Sequence, residues 1–365
     1  RGFDGYAGSA VIKTYNSAND TWTGVSSLLA PFSPTVGGYM VFIRGDRSAN
    51  AFNSPVTSTV LRTKGELTQG DQSTIIVPAK QFVAVGNPYA APLDLRKIDQ
   101  SENLFFYLWD PNLGTGSGYG AYQTLKKNSK GDYIAVPGGG SYSAKDNNLI
   151  QSGSAFFAYN KKGGYLTIAE SSKADNNTNN IAFTPASVAD QQQELTIRLY
   201  GIDATGNAIL QDGVMQDFDD TYSDSVDEMD ARKSINTSEN LSIKTGGELL
   251  SIESKHTITT NDTTFLNLTT LKVQNYRFEI DASNLSANGL QGFLEDAYLN
   301  TKTPLTMGGV TDYNFSIINT PAAYAADRFR IVFQPTHALA VTITSITAKQ
   351  QGKDIAVAWK VDNQG

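Results

Sequence analysis

The sequence predicts an all-β protein built from tandem β-sandwich or jelly-roll units, with the start of an immunoglobulin- or fibronectin-III-like unit at its C-terminus. Three observations predict it. Apolar runs are short, of strand length, and most end in Gly, Pro, Asn or Asp. No segment of the first 190 residues keeps an apolar stripe at helical spacing. The composition, with 32 Gly, 17 Tyr and 17 Phe against 4 Met, suits strands joined by many turns.

Along the chain, GSAVIKTYN (8–16) alternates as a half-buried strand should. GYMVFIRGDRS (38–48) follows, an apolar strand that ends in a turn at Gly45-Asp46. The adhesion-type triplet Arg44-Gly45-Asp46 is read as the end of that strand. Next come VLRTKGEL, STIIVPAKQFVAVGNPY, NLFFYLWDPN, GDYIAVPGG, NLIQSGSAFFAYN and GGYLTIAES. The best helix candidate in this half is LDLRKID after Pro92, one or two turns long. A polar stretch over residues 175–193 marks a boundary, so the first unit is placed at 1–190. About nine further strands, from ELTIRLYGID to DRFRIVFQ, form a second, jelly-roll-like unit at 191–340. AVTITSI and DIAVAWKV open a third unit, 341–365, whose remaining strands are expected beyond Gly365. The chain begins at Arg1 without a leader pattern and is read as a processed segment.

Composition narrows the function. A net charge of −7 and a pI near 5.0 argue against a nucleic-acid partner. With no Cys, the chain lacks disulfides, thiolate nucleophiles and Cys-ligated metals. His256 and His337 are the two histidines, lie in β-like surroundings and are assigned structural roles. No apolar run is long enough for a membrane-spanning helix.

Individual motifs carry little chemistry. GSGYGA (116–121) fits a dinucleotide-binding pattern, but no helix follows it, so it reads as a hairpin tip. The acidic window QDFDDTYSDSVDEMDARK (216–233) approximates a calcium loop. However, Tyr222 stands where the sharp turn of an EF-hand needs Gly. A looser calcium site among Asp217, Asp219, Asp220 and Asp224 is the remaining metal candidate, and no other cofactor is expected. No serine has a histidine partner in a hydrolase motif, and no carboxylate pair stands out. The chain is therefore read as non-catalytic. Trp22, Tyr107, Trp109, Tyr119 and Tyr122 are candidates for a sugar-stacking platform, with Trp109, Tyr119 and Tyr122 as its centre.

Several phrases occur in a familiar order: AVGNPYAAPLDL (84–95), FFYLWDPNLGTGSGYGAYQTL (105–125), NLIQSGSAFFAY (148–159), FDDTYSDSVDEMDARKSIN (218–236), GFLEDAYLNTKTPLTMGGVTDYNFSI, DRFRIVF and ITAKQQGKDIAVAWKV. Together they resemble Bacteroidota cell-surface proteins, adhesin-like, in the region that precedes a type A sorting domain of the type IX secretion system. The resemblance implies export across the outer membrane, with the type IX translocon and its shuttle protein as partners during export. It implies a secreted or cell-surface location and a stalk or scaffold role in adhesion or surface display. In that phylum D-[ST]-aliphatic/Thr is an O-glycosylation pattern, which points to Ser225 and Thr263 here. The alternatives are a carbohydrate-binding module, which would take surface glycans as partners, and an accessory domain of an exported hydrolase.

Overall fold

FFYLWD is apolar at every position before its final Asp, so a strand made from it must be covered on both faces. In the computed structural model, which describes residues 12–25, 37–41, 65–114, 120–140, 148–174, 193–285, 289–336 and 341–363, it is. Phe105–Asp110 lies at the centre of a five-stranded antiparallel sheet, ordered Tyr133–Val136, Ala121–Lys127, Phe105–Asp110, Ala155–Tyr159, Val83–Gly86. One face buries Val85, Phe106, Leu108, Leu125 and Phe156 against Val77, Leu93, Leu95, Ile150 and Leu166, which come from two small flanking sheets and a turn. The other face presents Phe105, Tyr107, Tyr122, Phe157 and Tyr159, which pack against the second half of the chain and, at Phe157, against Tyr15 and Trp22.

LDLRKID forms only one 3-10 turn, Leu95–Lys97. Its start is held by the Asp94 carboxylate, which accepts from the Arg96 backbone N–H at 3.0 Å. GSGYGA runs into the strand Ala121–Lys127, as its hairpin-tip reading requires, although residues 115–119 lie outside the described residues. So do Arg44-Gly45-Asp46, Tyr119 and His337; of GYMVFI, Tyr39–Val41 is strand.

The second half makes a single sheet of eleven strands rather than about nine. Its outer strands alternate cleanly: ELTIRLYGI and NYRFEID bury every second residue. A sheet this wide does not stay flat, because strand twist accumulates. It curls until its ends face each other, with Phe278 and Phe315 meeting Phe329 at ring-centroid distances of 5.0 and 4.8 Å. The enclosed core includes Leu195, Ile197, Val214, Leu241, Ile243, Leu266, Phe278 and Ile331. The fold is thus an all-β sandwich architecture. A separate hairpin, Val341–Gln351/Asp354–Asn363, follows it and holds the strands expected at AVTITSI and DIAVAWKV. Ile346 and Trp359 on that hairpin are 66% and 65% exposed, so it rests on neither sheet. Among the described residues no helix is long and apolar enough to cross a membrane.

Three strands of the large sheet break the alternation. Ala208–Phe218 is buried at every position from Gln211 onward. Asn240–Thr245 and Glu248–Lys255 are likewise covered on both sides over most of their length. Their inner face lines the sandwich core, and the outer face of Ala208–Phe218 and Glu248–Lys255 meets the five-stranded sheet.

Candidate functional site

The contact between the two sheets carries an extended buried polar network. It is set out by strand periodicity. In Ala121–Lys127 every second residue points the same way, so Tyr122, Thr124 and Lys126 all face the large sheet while Leu125 faces the first core. The Tyr122 backbone N–H donates to Asn236 Oδ1 at 2.8 Å. Thr124 Oγ1 meets Ser251 Oγ at 3.0 Å. Lys126 Nζ donates to Asp217 Oδ2 and, at 2.9 Å, to Ser254 Oγ. Tyr107, on the neighbouring strand, donates its hydroxyl to the Arg232 carbonyl at 2.7 Å. Met215, Ala231 and Ile252 fill the space between these bonds with apolar surface.

Burial makes these polar contacts consequential. The Lys126 and Asp217 side chains are only 10% and 2% exposed, so neither charge is solvated by bulk water. Ser254 extends the network. Its hydroxyl donates to Asp217 Oδ1, and its backbone N–H donates to Asp230 Oδ1, each at 2.9 Å. Burial pushes the Asp230 carboxyl up to about 7, despite the backbone donors of Asp227 and Ser254 that favour its charged form. Burial, with the neighbouring Tyr159 adding to it, raises the Tyr107 hydroxyl well above its ordinary range. At the rim, Lys161 pairs with Glu248 at 2.7 Å, and Lys162 pairs with Glu228.

The four carboxylates expected to hold calcium do not converge. Asp217 is the partner of Lys126 inside the seam. Asp219 accepts from Thr221 N and Oγ1, closing a local turn that lowers its carboxyl below the usual range. Asp220 lies on the surface beside Thr257 and His256, and Asp224 is exposed. Among the described residues no group of three or more His, Asp or Glu side chains is placed to hold a metal. The four residues expected to hold calcium thus form no shared metal group among the described residues. Asp217 follows the strand inward, and the others face solvent from a turn.

The described aromatic candidates, Trp22, Tyr107, Trp109 and Tyr122, lie together but do not form an open platform. Trp109 and Tyr122 pack edge to face at 4.8 Å, and Tyr122 is 8% exposed. With Trp22, Tyr39, Met40 and Phe157 they line a mostly apolar cleft of about 180 Å³. Tyr15 and Trp22 close on Phe157 at 4.6 and 5.7 Å, also edge on. Sugar stacking needs a ring face open to solvent, and these rings largely cover one another. Of the glycosylation candidates, Ser225 is in an exposed loop, and Thr263 is half-buried at the first position of the strand Thr263–Thr269.

The phrases that carry the resemblance acquire structural explanations. In GNPY, Asn87 Nδ2 donates to the carbonyls of Ala91, Ile150 and Gln151, and the Tyr89 hydroxyl reaches those of Gly70 and Ile168. In LED and DRF, Asp296 and Arg328 are each 1% exposed and form a bidentate pair at 2.6 and 2.8 Å. Arg328 also donates to the carbonyls of Ser316 and Ala323. The sequence profile of DUF8693, a domain of unknown function, matches residues 45–333. The chain belongs to the DUF8693 family. The DUF8693 span runs across the boundary expected near residue 190 and takes in both sheets and the seam between them. It stops short of the C-terminal hairpin. No curated protein and no solved structure matches the chain.

Lys126, Thr124, Ser251 and Ser254 were not singled out by sequence. Their one signal is the oddity of ILQDGVMQDF, a strand with polar residues on both faces.

Proposed function

We propose that this DUF8693 protein is a non-catalytic scaffold segment of an exported bacterial cell-surface protein, a type IX secretion cargo that holds a neighbouring region in position for adhesion or display. The observation that supports it is the deployment of its motif residues. Asn87, Tyr89, Asp296 and Arg328 are committed to fastening strands and turns, and Lys126 and Asp217 to joining the sheets. A segment whose polar capital is invested in rigidity suits load transmission better than substrate turnover. The packing supports the same reading: the two sheets meet across a buried seam, and the C-terminal hairpin is a separate element.

The test is made in the native cell. Lys126→Ala and Asp217→Ala are introduced into the full precursor, and surface display is followed by protease shaving and immunoblot. The scaffold reading expects display of the intact protein to fall. Undiminished display by a protein whose seam is shown to be loosened would count against it.

A second reading, a carbohydrate-binding module, would have to seat its sugar in the cleft lined by Trp22, Trp109 and Tyr122, although the rings there largely cover one another. Binding on a glycan array that Trp109→Ala abolishes, with the fold intact by circular dichroism, would favour it. An array without signal leaves the scaffold reading ahead.

A further inference from the structure

A lysine ammonium has three hydrogens to place, and where bulk water is shut out each of them needs an acceptor in the protein. Among the described residues two lysines are buried, Lys126 and Lys233, and they are housed differently. Lys126 Nζ has Asp217 Oδ2, Ser254 Oγ and the face of the Tyr222 ring around it. Lys233 Nζ, among the described residues, donates to one atom, Asp212 Oδ1, at 2.6 Å. The Lys233 and Asp212 side chains are only 3% and 0% exposed, so bulk solvent reaches neither.

The sheet fixes both partners. Asp212 lies in the strand Ala208–Phe218, and Lys233 directly follows the strand Ala231–Arg232, with its backbone N–H held by the Leu249 carbonyl at 2.8 Å. The Asp212 carboxyl is itself clamped. Its Oδ2 accepts from the Leu241 backbone N–H at 2.7 Å, and its Oδ1 accepts from that of Gly213 at 2.9 Å. Such donors polarise the carboxyl carbon and stand ready for the charge that an attack on it would place on oxygen. Burial pushes the Asp212 carboxyl up, outweighing Lys233 and both backbone donors, which favours the uncharged acid. A nitrogen hydrogen-bonded to one carboxyl oxygen lies roughly 3–3.5 Å from the carbon, the distance of a near-attack arrangement.

We infer that Lys233 and Asp212 join in an intramolecular isopeptide bond, Nζ to Cγ. Nζ first passes one proton to Oδ1 and then attacks Cγ, so that negative charge gathers on Oδ2 against the Leu241 N–H. The nitrogen gives a second proton to Oδ1, the Cγ–Oδ1 bond breaks, and Oδ1 leaves as water. An ammonium and a carboxylate become an amide and one water, with no oxidant or cofactor. The product suits the site better than the ion pair does. Its amide nitrogen has one hydrogen to place instead of three, and no buried charge remains. The bond would close residues 212–233, which carry the acidic turn, into a covalent loop. It does not rest on the scaffold reading.

Intact mass of the denatured full chain, followed by tryptic peptide mapping, tests the inference. The expected mass is that of the sequence less one water. The map should contain a branched peptide joining Asp212 to Lys233, with no cleavage after Lys233. Lys233→Arg, which keeps the charge but cannot form the bond, should regain the water and unfold several degrees lower, as a chain that loses a cross-link does. Asp212-Gly213 can also lose water by closing a succinimide on the Gly213 nitrogen. A missing water without the branched peptide, or one that Lys233→Arg retains, is that succinimide and overturns the proposal. A wild-type chain of full mass, whose Lys233 is acetylated like the other lysines once unfolded, overturns it too. The branched peptide is sought in the wild-type chain, so the test decides even if Lys233→Arg does not fold.

Discussion

Lys126 is the residue on which the seam most depends, because it brings a positive charge into a place that water hardly reaches. Removing one member of a buried pair strands the other charge. Lys126→Met should therefore cost about 3–5 kcal/mol in urea denaturation. Lys126→Met combined with Asp217→Leu should recover much of that loss, since the stranded charge is gone. Asp230 makes a second prediction, about pH. Its folded carboxyl keeps its proton up to about 7, whereas an unperturbed aspartate releases it near 3.8. Between those values the native state binds more protons than the unfolded one, so this group's contribution to stability falls as pH rises. About three pH units correspond to at most ~4 kcal/mol. Asp230→Asn removes the titration, so its stability relative to wild type should climb through that window. A difference that stays flat with pH would show that Asp230 titrates normally. Asp296 acts with the opposite sign. Burial raises its carboxyl, but hydrogen bonds from Arg328 outweigh that and lower it, so its stabilisation is lost on acidification. It is present in both proteins and cancels in the comparison.

At the scale of the strand, alternation separates what was legible from what was not. ELTIRLYGI and NYRFEID announce a one-sided strand, and both are. FFYLWD announces a strand covered on both sides, though not by what. ILQDGVMQDF announces neither. Its Asp212, Gln216 and Asp217 are buried because partners distant in sequence satisfy them: Lys233 for Asp212, Glu253 and Thr264 for Gln216, Lys126 for Asp217. A periodicity argument sees polarity and infers solvent, which is why an acidic loop was expected to begin at Asp217. The same blindness hid Ser251 and Ser254. Burial at this level is testable by truncation. Ile252→Ala, at a fully buried seam position, should cost about 2–5 kcal/mol. Ile346→Ala, on the exposed hairpin, should stay within about 0.5 kcal/mol of wild type. Similar costs at the two sites would contradict the packing described.

For the whole molecule, the sequence reading of two successive sandwiches was right in fold class but silent on how they meet. The family span covers both sheets, and the structure joins them through hydrogen bonds at Tyr107, Tyr122, Thr124 and Lys126 and the apolar surface of Met215 and Ile252. Such a joint makes one cooperative unit, since opening it exposes apolar surface and buried charge together. The scaffold role depends on that cooperativity, because a hinge between the sheets would not transmit position. The most direct measurement is hydrogen exchange against urea, followed peptide by peptide in the intact chain. Peptides from Phe105–Lys127 and from Ala208–Phe218 should lose protection at the same urea midpoint, and Lys126→Met should lower both together. Two separate midpoints, with only one moved by the substitution, would contradict the account.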